Sequence, residues 1–426
     1  PLTGIVKHLD DQCFGCQYCT LACPYDVPKY HADLGIVRKC DMCSTRLKAG
    51  EAPACVQACP HEAIRIQIVD IAQVAEDAEA AVFLPAAPDP QITLPTTTFR
   101  TRKVFPRNLL PADYYDVHPQ HPHWPLIVML ALTQLSVGAF IVSLIVKAAL
   151  PVPLWQALEP VHASGALAFG MLALAASVLH LGRPRYAYRG LLGIKHSWLS
   201  REILAFGVFA GLASLYFLSV HAKRWGLAPP ESLTSSLAVA VAVAGIAGVY
   251  CSVMIYAFTR RELWSFGRTA TRFLLTTALL GAVALWISLL LLNMLFPSAA
   301  SQAVLQQIGP ACAQTVAIVT VLKLVWEAAV FWQLRNPRMT SLRRTALLMK
   351  RQLARITVAR FLCGALGGLL MPAILLRANI ASGGEASPWL LLAVAVLVIA
   401  TLAGELLERY LFFAAVAAPR MPGAIK

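Results

Sequence analysis

Eight long apolar runs follow residue 123, and they constrain more than any other feature what this chain can fold into. About 20 apolar residues in a helix cross a bilayer core, and a helix satisfies its own backbone hydrogen bonds there. With 58% hydrophobic and 14% charged residues, the chain is too apolar for one soluble protein. The sequence therefore predicts an all-α, multi-pass membrane bundle of eight helices over residues 124–426. The predicted spans are 125–149, 160–181, 200–221, 234–258, 272–295, 313–334, 357–376 and 389–413.

Basic residues in the loops predict how these spans are oriented. The loops after the second, fourth and sixth spans are rich in Lys and Arg, whereas those after the first and fifth have almost none. Because cytoplasmic loops carry such an excess, we expect both termini on the cytoplasmic side of the inner membrane. Basic loops that instead dock an acidic partner, in an exported complex, would reverse this assignment. The same distribution explains the net charge of +14 and argues against nucleic-acid binding.

Eight of the eleven Cys residues lie in the first 59 residues, in two groups of four that each end in Cys-Pro. The first group has the bacterial ferredoxin spacing C-x2-C-x2-C-x3-C-P, and soft thiolates suit iron. Zinc also binds C-x2-C pairs, but the two complete sets favour [4Fe–4S] clusters, and spacing this tight disfavours structural disulfides. We therefore predict a small α+β, bacterial-ferredoxin-like dicluster domain over residues 1–70. Its expected iron ligands are Cys13, Cys16, Cys19, Cys23, Cys40, Cys43, Cys55 and Cys59.

The assignment of these ligands to individual clusters depends on whether the domain is self-contained. In two-cluster ferredoxins the fourth Cys of a group ligates the other cluster. Cys59 would then complete the cluster of the first group, and Cys23 that of the second. The chain begins at Pro1 without Met, and we expect that its front is truncated.

Residues 71–123 show no persistent periodic pattern and are predicted to form an extended linker. They end in His118, His121 and His123, just before Trp124. A metal site would fit such a His-rich stretch, but an interfacial segment is the favoured interpretation.

Two polar residues at the ends of spans are candidates for membrane chemistry. His180 closes the second span and Glu202 opens the third, so antiparallel helices would place both at the cytoplasmic level. A quinol needs hydrogen-bond partners and acceptors for two protons, and His and a carboxylate suit these roles. A structural His–Glu or Arg–Glu pair is the alternative.

Other polar residues within the spans receive structural interpretations. Lys323 lies one turn from Glu327 and needs a partner, either that residue or Glu405, and a buried structural pair is favoured over a proton path. Gly364 and Gly368 are spaced for close helix packing. His162 and His221 are the single candidate pair of axial haem ligands. They lie in the second and third spans, near the ends opposite to His180 and Glu202.

Several of these motifs resemble the dimethyl sulfoxide reductase family. Residues 13–59 resemble the second, C-terminal half of its four-cluster iron–sulfur electron-transfer subunits. The stretch from His180 to Glu202 resembles its eight-helix membrane anchor subunit, as do Trp124-Pro125-Leu126 and Ala403-Gly404-Glu405-Leu406 with Arg409. The resemblance implies that two normally separate subunits are fused here.

The family resemblance also implies specific roles. The quinol-site His and acid of the family fall on His180 and Glu202, and its anchor has no haem, so none is expected here. Cys23 and Cys59 would complete clusters whose other ligands precede Pro1, giving shares of up to four clusters rather than two. The implied partner is a molybdopterin-type catalytic subunit that reduces a sulfoxide, an N-oxide or an oxyanion.

The predicted function is therefore electron transfer from membrane quinol, through [4Fe–4S] clusters, to a catalytic partner. Two alternatives remain open. The same relay could run in reverse, from a substrate-oxidising partner to quinone, or the chain could be a membrane scaffold that senses redox state.

Overall fold

The computed structural model describes residues 4–227, 229–377, 388–417 and 420–425. They divide into two compact units. The first contains the residues up to His118, the segment Leu181–Ala187 and the C-terminal end from residue 418 onward. The second contains Pro119–His180 and Tyr188–Ala417.

The first unit is built from short elements and holds all eight of the predicted cluster ligands. Its two sheets are antiparallel strand pairs, β1 with β2 and β3 with β4. The first pair has the register Lys29–Arg38, Tyr30–Val37 and His31–Ile36. The predicted linker includes a nine-residue helix, capped by the Asp70 side chain, which accepts a hydrogen bond from the backbone N–H of Ala72. The elements are α1 (Tyr18–Ala22), β1 (Lys29–His31), β2 (Ile36–Arg38), α2 (Ser44–Lys48), α3 (Ala54–Gln57), α4 (Ile71–Glu79), β3 (Leu109–Pro111) and β4 (Pro422–Ile425).

Three glycines bring the segment Leu181–Ala187 against the first Cys group within this unit. A Cβ added to Gly182 would lie 2.3 Å from the carbonyl oxygen of Gly35, and one on Gly15 would lie 2.8 Å from the Gly182 Cα. The Gly182 N–H donates to the Gly15 carbonyl oxygen at 3.2 Å, and the Arg183 N–H donates to the Phe14 carbonyl oxygen at 3.1 Å. The Arg183 side chain also donates to backbone carbonyls of this unit. This segment is therefore an integral part of the cysteine-rich fold.

The described residues of the second unit are mainly helical. Seven helical stretches in the described residues are long and apolar enough to cross a membrane, and α14 covers the eighth predicted span. This confirms the predicted fold class, a small ferredoxin-like region followed by membrane helices. The helices are α5 (Trp124–Ala149), α6 (Val152–Leu179), α7 (Trp198–His221), α8 (Glu231–Ala257), α9 (Phe266–Leu295), α10 (Ala299–Ala328), α11 (Ser341–Lys350), α12 (Ala354–Ala365), α13 (Met371–Arg377) and α14 (Pro388–Ala414).

Two helices begin well before their apolar runs, because local chemistry rather than hydropathy sets a helix start. In α6, Pro153 stands in the first turn, where its missing N–H costs nothing. In α10, the side chains of Ser298 and Ser301 form a reciprocal capping box. Polar residues near these starts, Gln156 and Glu159 in α6 and Ser301 and Gln302 in α10, lower the local hydropathy. The apolar runs therefore start at 160 and 313, whereas the helices start at 152 and 299.

Close helix contacts in the second unit depend on small residues. A Cβ on Gly138 of α5 would lie 2.0 Å from the Thr277 carbonyl oxygen of α9. The predicted tight packing at Gly364 and Gly368 is confirmed, since an added Cβ would lie 3.0 Å from Leu324 and 2.1 Å from the Thr320 hydroxyl oxygen, respectively. Such close approaches allow van der Waals contact to hold helices together in lipid, where the hydrophobic effect does not.

Candidate functional site

The two Cys groups lie on tight loops in which several residues have a left-handed backbone conformation. Gly15 (φ 74°) and Gln17 (φ 57°) bend the first loop, and Met42 (φ 58°) and Cys43 (φ 49°) bend the second. All eight predicted ligands are free thiols, and none is fully buried. These positive φ angles turn the backbone sharply beside the cysteines.

Backbone amides surround some of these sulfur atoms. The Ala63 N–H donates to Cys59 Sγ at 3.2 Å, and the amides of Ala63 and His61 lower the pKa of that thiol. Burial, together with electrostatic interaction with Cys19 and Cys13, raises the pKa of Cys16 to about 11. In these described regions, no three His, Cys, Asp or Glu side chains converge on a point for a single metal ion. The donor set of soft thiols on tight loops, some with N–H···S contacts, fits iron–sulfur clusters.

His180 lies at the C-cap of α6 and contacts a second histidine. Its ring meets the edge of the His123 ring, with centroids 5.5 Å apart, and His121 contacts His123 at 5.7 Å. His123 is the residue that precedes α5. Burial, reinforced by the neighbouring His180 and His121, lowers the pKa of His123 to about 4. His123 is therefore neutral near pH 7.

Glu202 lies in the second turn of α7 and is only 5% exposed. The Ser252 hydroxyl of α8 donates to its carboxylate. The adjacent Arg201 turns to the preceding loop, where it donates to the carbonyls of Ile194 at 3.0 Å and Lys195 at 2.9 Å. Within the described residues, no Lys or Arg forms an ion pair with Glu202, so the Arg–Glu alternative finds no support.

The structure thus gives each predicted quinol-site residue a partner that the sequence analysis did not name. The ring contact of His180 is with His123, and the hydrogen bond of Glu202 is with Ser252. That His180 and Glu202 both face one quinol stays a prediction. The sequence could have predicted that His123 lies near His180. His123 stands at the start of the first span and His180 at the end of the second, and these two positions lie at the same membrane level. His118, the third member of the predicted His segment, belongs to the first unit and pairs with Asp116 at 3.0 Å.

The candidate axial histidines have other partners. His162 is buried, with Nδ1 2.8 Å from the Ser288 hydroxyl and Nε2 2.9 Å from the Ala139 carbonyl oxygen. Both of its ring nitrogens are engaged, so neither is available to a metal in this conformation. His221 contacts the Phe217 carbonyl through Nδ1 at 3.0 Å. The expectation that the chain binds no haem stays a prediction.

Buried charges form a continuous network between α10, α12 and α14. Lys323 pairs with both of its predicted candidates, Glu405 at 2.9 Å and Glu327 at 3.8 Å. Arg360 adds a bidentate contact to Glu327, at 2.8 and 2.9 Å, and a bond to Glu405 at 3.0 Å. Next to it on α14, Arg409 pairs with Glu408 at 2.6 Å. Each charge is thus compensated, as burial in a membrane domain requires.

Comparison with known proteins connects these two units to described families. The family model of the DMSO reductase anchor subunit (DmsC) matches residues 117–415, and that of the 4Fe-4S dicluster domain matches residues 1–69. An anaerobic dimethyl sulfoxide reductase subunit of Haemophilus influenzae is 37% identical over 100 residues, which are 24% of this chain and 48% of that protein. The corresponding subunit of Escherichia coli is 42% identical over 67 residues, 16% of this chain and 33% of that protein.

A third relative extends the comparison beyond sulfoxide reductases. The thiosulfate reductase electron transfer subunit PhsB of Salmonella typhi is 40% identical over 72 residues, 17% of this chain and 38% of that protein. The chain thus spans about half or less of the length of these curated relatives. The anchor match covers most of the chain and confirms the predicted fusion, with the iron–sulfur domain at its N-terminal end. The chain therefore belongs to the DMSO reductase anchor subunit (DmsC) family, and is a multi-pass membrane protein that carries a 4Fe-4S dicluster domain before its anchor.

Proposed function

We propose that this chain oxidises membrane quinol near His180 and delivers the electrons to a molybdopterin-type catalytic subunit. The [4Fe–4S] clusters supply one-electron transfer when bound to the eight cysteines. The observation that carries the proposal is the contact of His180 with a neutral His123, where α6 ends and α5 begins. A quinol hydroxyl needs a neutral imidazole to accept its proton, and a charged neighbour would disfavour protonation of His180.

Glu202 is proposed to accept the second proton. Its carboxylate is buried, lacks a cationic partner among the described residues, and receives the Ser252 hydroxyl hydrogen. A carboxylate without a neighbouring cation binds a proton more readily than one in an ion pair. The two candidate acceptors follow each other in the chain at the end of α6 and the start of α7.

The partner is inferred from the named relatives. They are subunits of dimethyl sulfoxide reductases and an electron transfer subunit of thiosulfate reductase. We propose that the terminal substrate of this complex is likewise a sulfoxide, an N-oxide or a sulfur oxyanion. Electron flow from substrate to quinone is the alternative, and potentials of the clusters measured against the quinone distinguish the two directions.

We further propose that the iron–sulfur domain faces the cytoplasm. The distribution of basic loops supports this orientation. If quinol oxidation and substrate reduction share that side, the protons released and consumed cancel. Labelling of single cysteines introduced between α6 and α7, in intact cells, tests the orientation, and labelling from outside would refute it.

The quinol site is tested by replacing His180 with Gln in the full complex. We expect quinol to reduce the clusters at least about a hundredfold more slowly, the usual effect of losing a general base. Reduction by dithionite should give an unchanged cluster signal by electron paramagnetic resonance. The matched control is His196→Gln, an exposed residue of the following loop, which should behave as wild type. Equal quinol-dependent rates in the two variants would refute the assignment.

A further inference from the structure

A large cavity lies at the start of α6, at the opposite end of that helix from His180. Its volume is about 930 Å³, within the range of small-molecule sites. Of the α6 residues that line the cavity, Gly165 is nearest to His180 in the chain, and their separation of 15 residues corresponds to about 22 Å at 1.5 Å per residue. The cavity is therefore too far from His180 to belong to the proposed quinol site.

The cavity is lined by charges of both signs. Lys147 of α5, Glu159 of α6 and Glu231 of α8 all face it. Lys147 Nζ donates to the Ser235 hydroxyl at 2.8 Å, and Glu159 accepts from the Tyr216 hydroxyl at 2.8 Å. Across the described stretches of the chain, neither Lys147 nor either carboxylate forms an ion pair. Each of these charges retains hydrogen-bonding capacity for a ligand.

An imidazole nitrogen adds a further acceptor. His221 Nδ1 lies 3.0 Å from the Phe217 carbonyl oxygen, which can only accept, so Nδ1 carries the hydrogen and Nε2 of the neutral ring is an acceptor. The Ser164 hydroxyl lies 3.4 Å from Nε2, but its one hydrogen is directed to the Pro160 carbonyl at 2.6 Å. His221 therefore presents an acceptor in the same cavity as Glu159.

Apolar side chains form the lipid-facing part of the lining. Leu295 and Phe296 at the end of α9, with Val152 at the start of α6, are each half or more exposed. These positions lie at helix ends, where a bilayer changes from hydrocarbon to headgroups. A bound molecule would therefore have acyl chains beside these residues and a polar head within the cavity.

We propose that the cavity binds a zwitterionic phospholipid with a primary ammonium headgroup, of the phosphatidylethanolamine type. The phosphate would pair with Lys147, and the ammonium N–H groups would donate to Glu159, Glu231 and His221. The three acceptors match the three hydrogens of a primary ammonium. A site with both a cation and two carboxylates requires a ligand that carries both charges.

Other amphiphiles fit this charge pattern less well. A phosphatidylglycerol headgroup has no cation for Glu159, and a phosphatidylcholine headgroup has no N–H donor. A quinol can donate two hydroxyl hydrogens but offers no anion to Lys147. The pattern of charges therefore selects among lipids by headgroup.

The test uses the full chain, purified and reconstituted in nanodiscs of equal phosphatidylethanolamine and phosphatidylglycerol. After delipidation in detergent, the retained lipids are identified and counted by mass spectrometry. We expect the wild type to retain phosphatidylethanolamine over phosphatidylglycerol by about tenfold or more, the effect of one charge-assisted contact. Equal retention, retention of phosphatidylcholine in a parallel nanodisc, or displacement by added quinone would each overturn the proposal.

Variants locate the bound lipid. Glu159→Gln should lower the preference by about tenfold. Lys147→Met should instead lower the amount of both lipids retained by about tenfold, because both carry a phosphate, and Lys147→Arg should restore that amount. Lys195→Met, which removes an exposed lysine elsewhere in the same unit, is the matched control and should retain the wild-type amount and preference. A loss in the control equal to that in Lys147→Met would overturn the proposed site. If the cavity variants fail to fold, the headgroup preference of the wild type alone decides whether the proposal stands.

Discussion

Replacing Arg360 by Met is expected to destabilise the membrane domain by about 3–5 kcal/mol, the usual effect of removing one partner from a buried ion pair. Arg360 is 2% exposed and makes three hydrogen bonds, two to Glu327 and one to Glu405. Without it, Lys323 would be the sole cation in contact with these two carboxylates. Desolvation of an uncompensated carboxylate therefore dominates the loss, whereas the packing lost by an Arg→Met change is small.

A double variant separates the charge effect from the loss of packing. Combining Arg360→Met with Glu327→Gln leaves the Lys323–Glu405 pair, at 2.9 Å, balanced. We therefore expect the double variant to be more stable than Arg360→Met alone by about 1–3 kcal/mol, the cost of one unpaired buried group.

The assay is the free energy of unfolding of the full chain in mixed detergent micelles, followed by tryptophan fluorescence. Arg355→Met, an exposed position on the same helix α12, is the control and should change stability by about 0.5 kcal/mol or less. A loss below about 1 kcal/mol for Arg360→Met, or no recovery in the double variant, would refute the view that the network compensates buried charge.

Three further predictions concern the first unit and the histidine pair. Gly182→Ala places a Cβ 2.3 Å from the Gly35 carbonyl oxygen and should cost about 1–3 kcal/mol in thermal unfolding of the iron–sulfur unit, whereas Gly207→Ala, with nothing within 4 Å, should not. His123, whose pKa is lowered to about 4 from 6.5, binds a proton more readily when unfolded; its contribution to stability is full above pH 6.5 and falls as pH drops toward 4. Melting temperatures of the wild type should therefore fall more than those of His123→Gln between about pH 7 and pH 5. Removal of iron by a chelator should unfold the first unit and leave the helical circular dichroism of the second intact.

The sequence predicted well what depends on spacing and hydropathy. Cysteine spacing predicted eight cluster ligands, because a cluster restricts the number of residues between its ligands, and the 4Fe-4S dicluster domain match over residues 1–69 supports iron–sulfur clusters there. Apolar runs located the helices, because lipid requires each span to satisfy its own hydrogen bonds. The starts of α6 and α10 were missed, because caps and prolines rather than hydropathy determine where a helix starts.

Contacts between distant segments could not be predicted in the same way. The packing of Gly182 against Gly35, and of His180 against His123, joins residues far apart in the sequence. Composition carries no information on such partners, since many glycines and histidines are equally suitable. Lys323 is the exception, because a buried ammonium in a span requires a carboxylate, and few carboxylates lie within the spans.

The two units are stabilised by different means, and the difference gives the cysteines a structural as well as an electronic role. In the described part of the first unit, prolines apart, only Ile36, Val37 and Ala78 are buried apolar side chains. The second unit has a large apolar core, in which Trp264 stacks on Phe412 with ring centroids 5.4 Å apart. A domain with so few buried apolar groups cannot offset its conformational entropy by the hydrophobic effect alone. Metal–thiolate bonds supply folding free energy in such small domains, so the iron–sulfur unit should fold only as its cysteines are ligated.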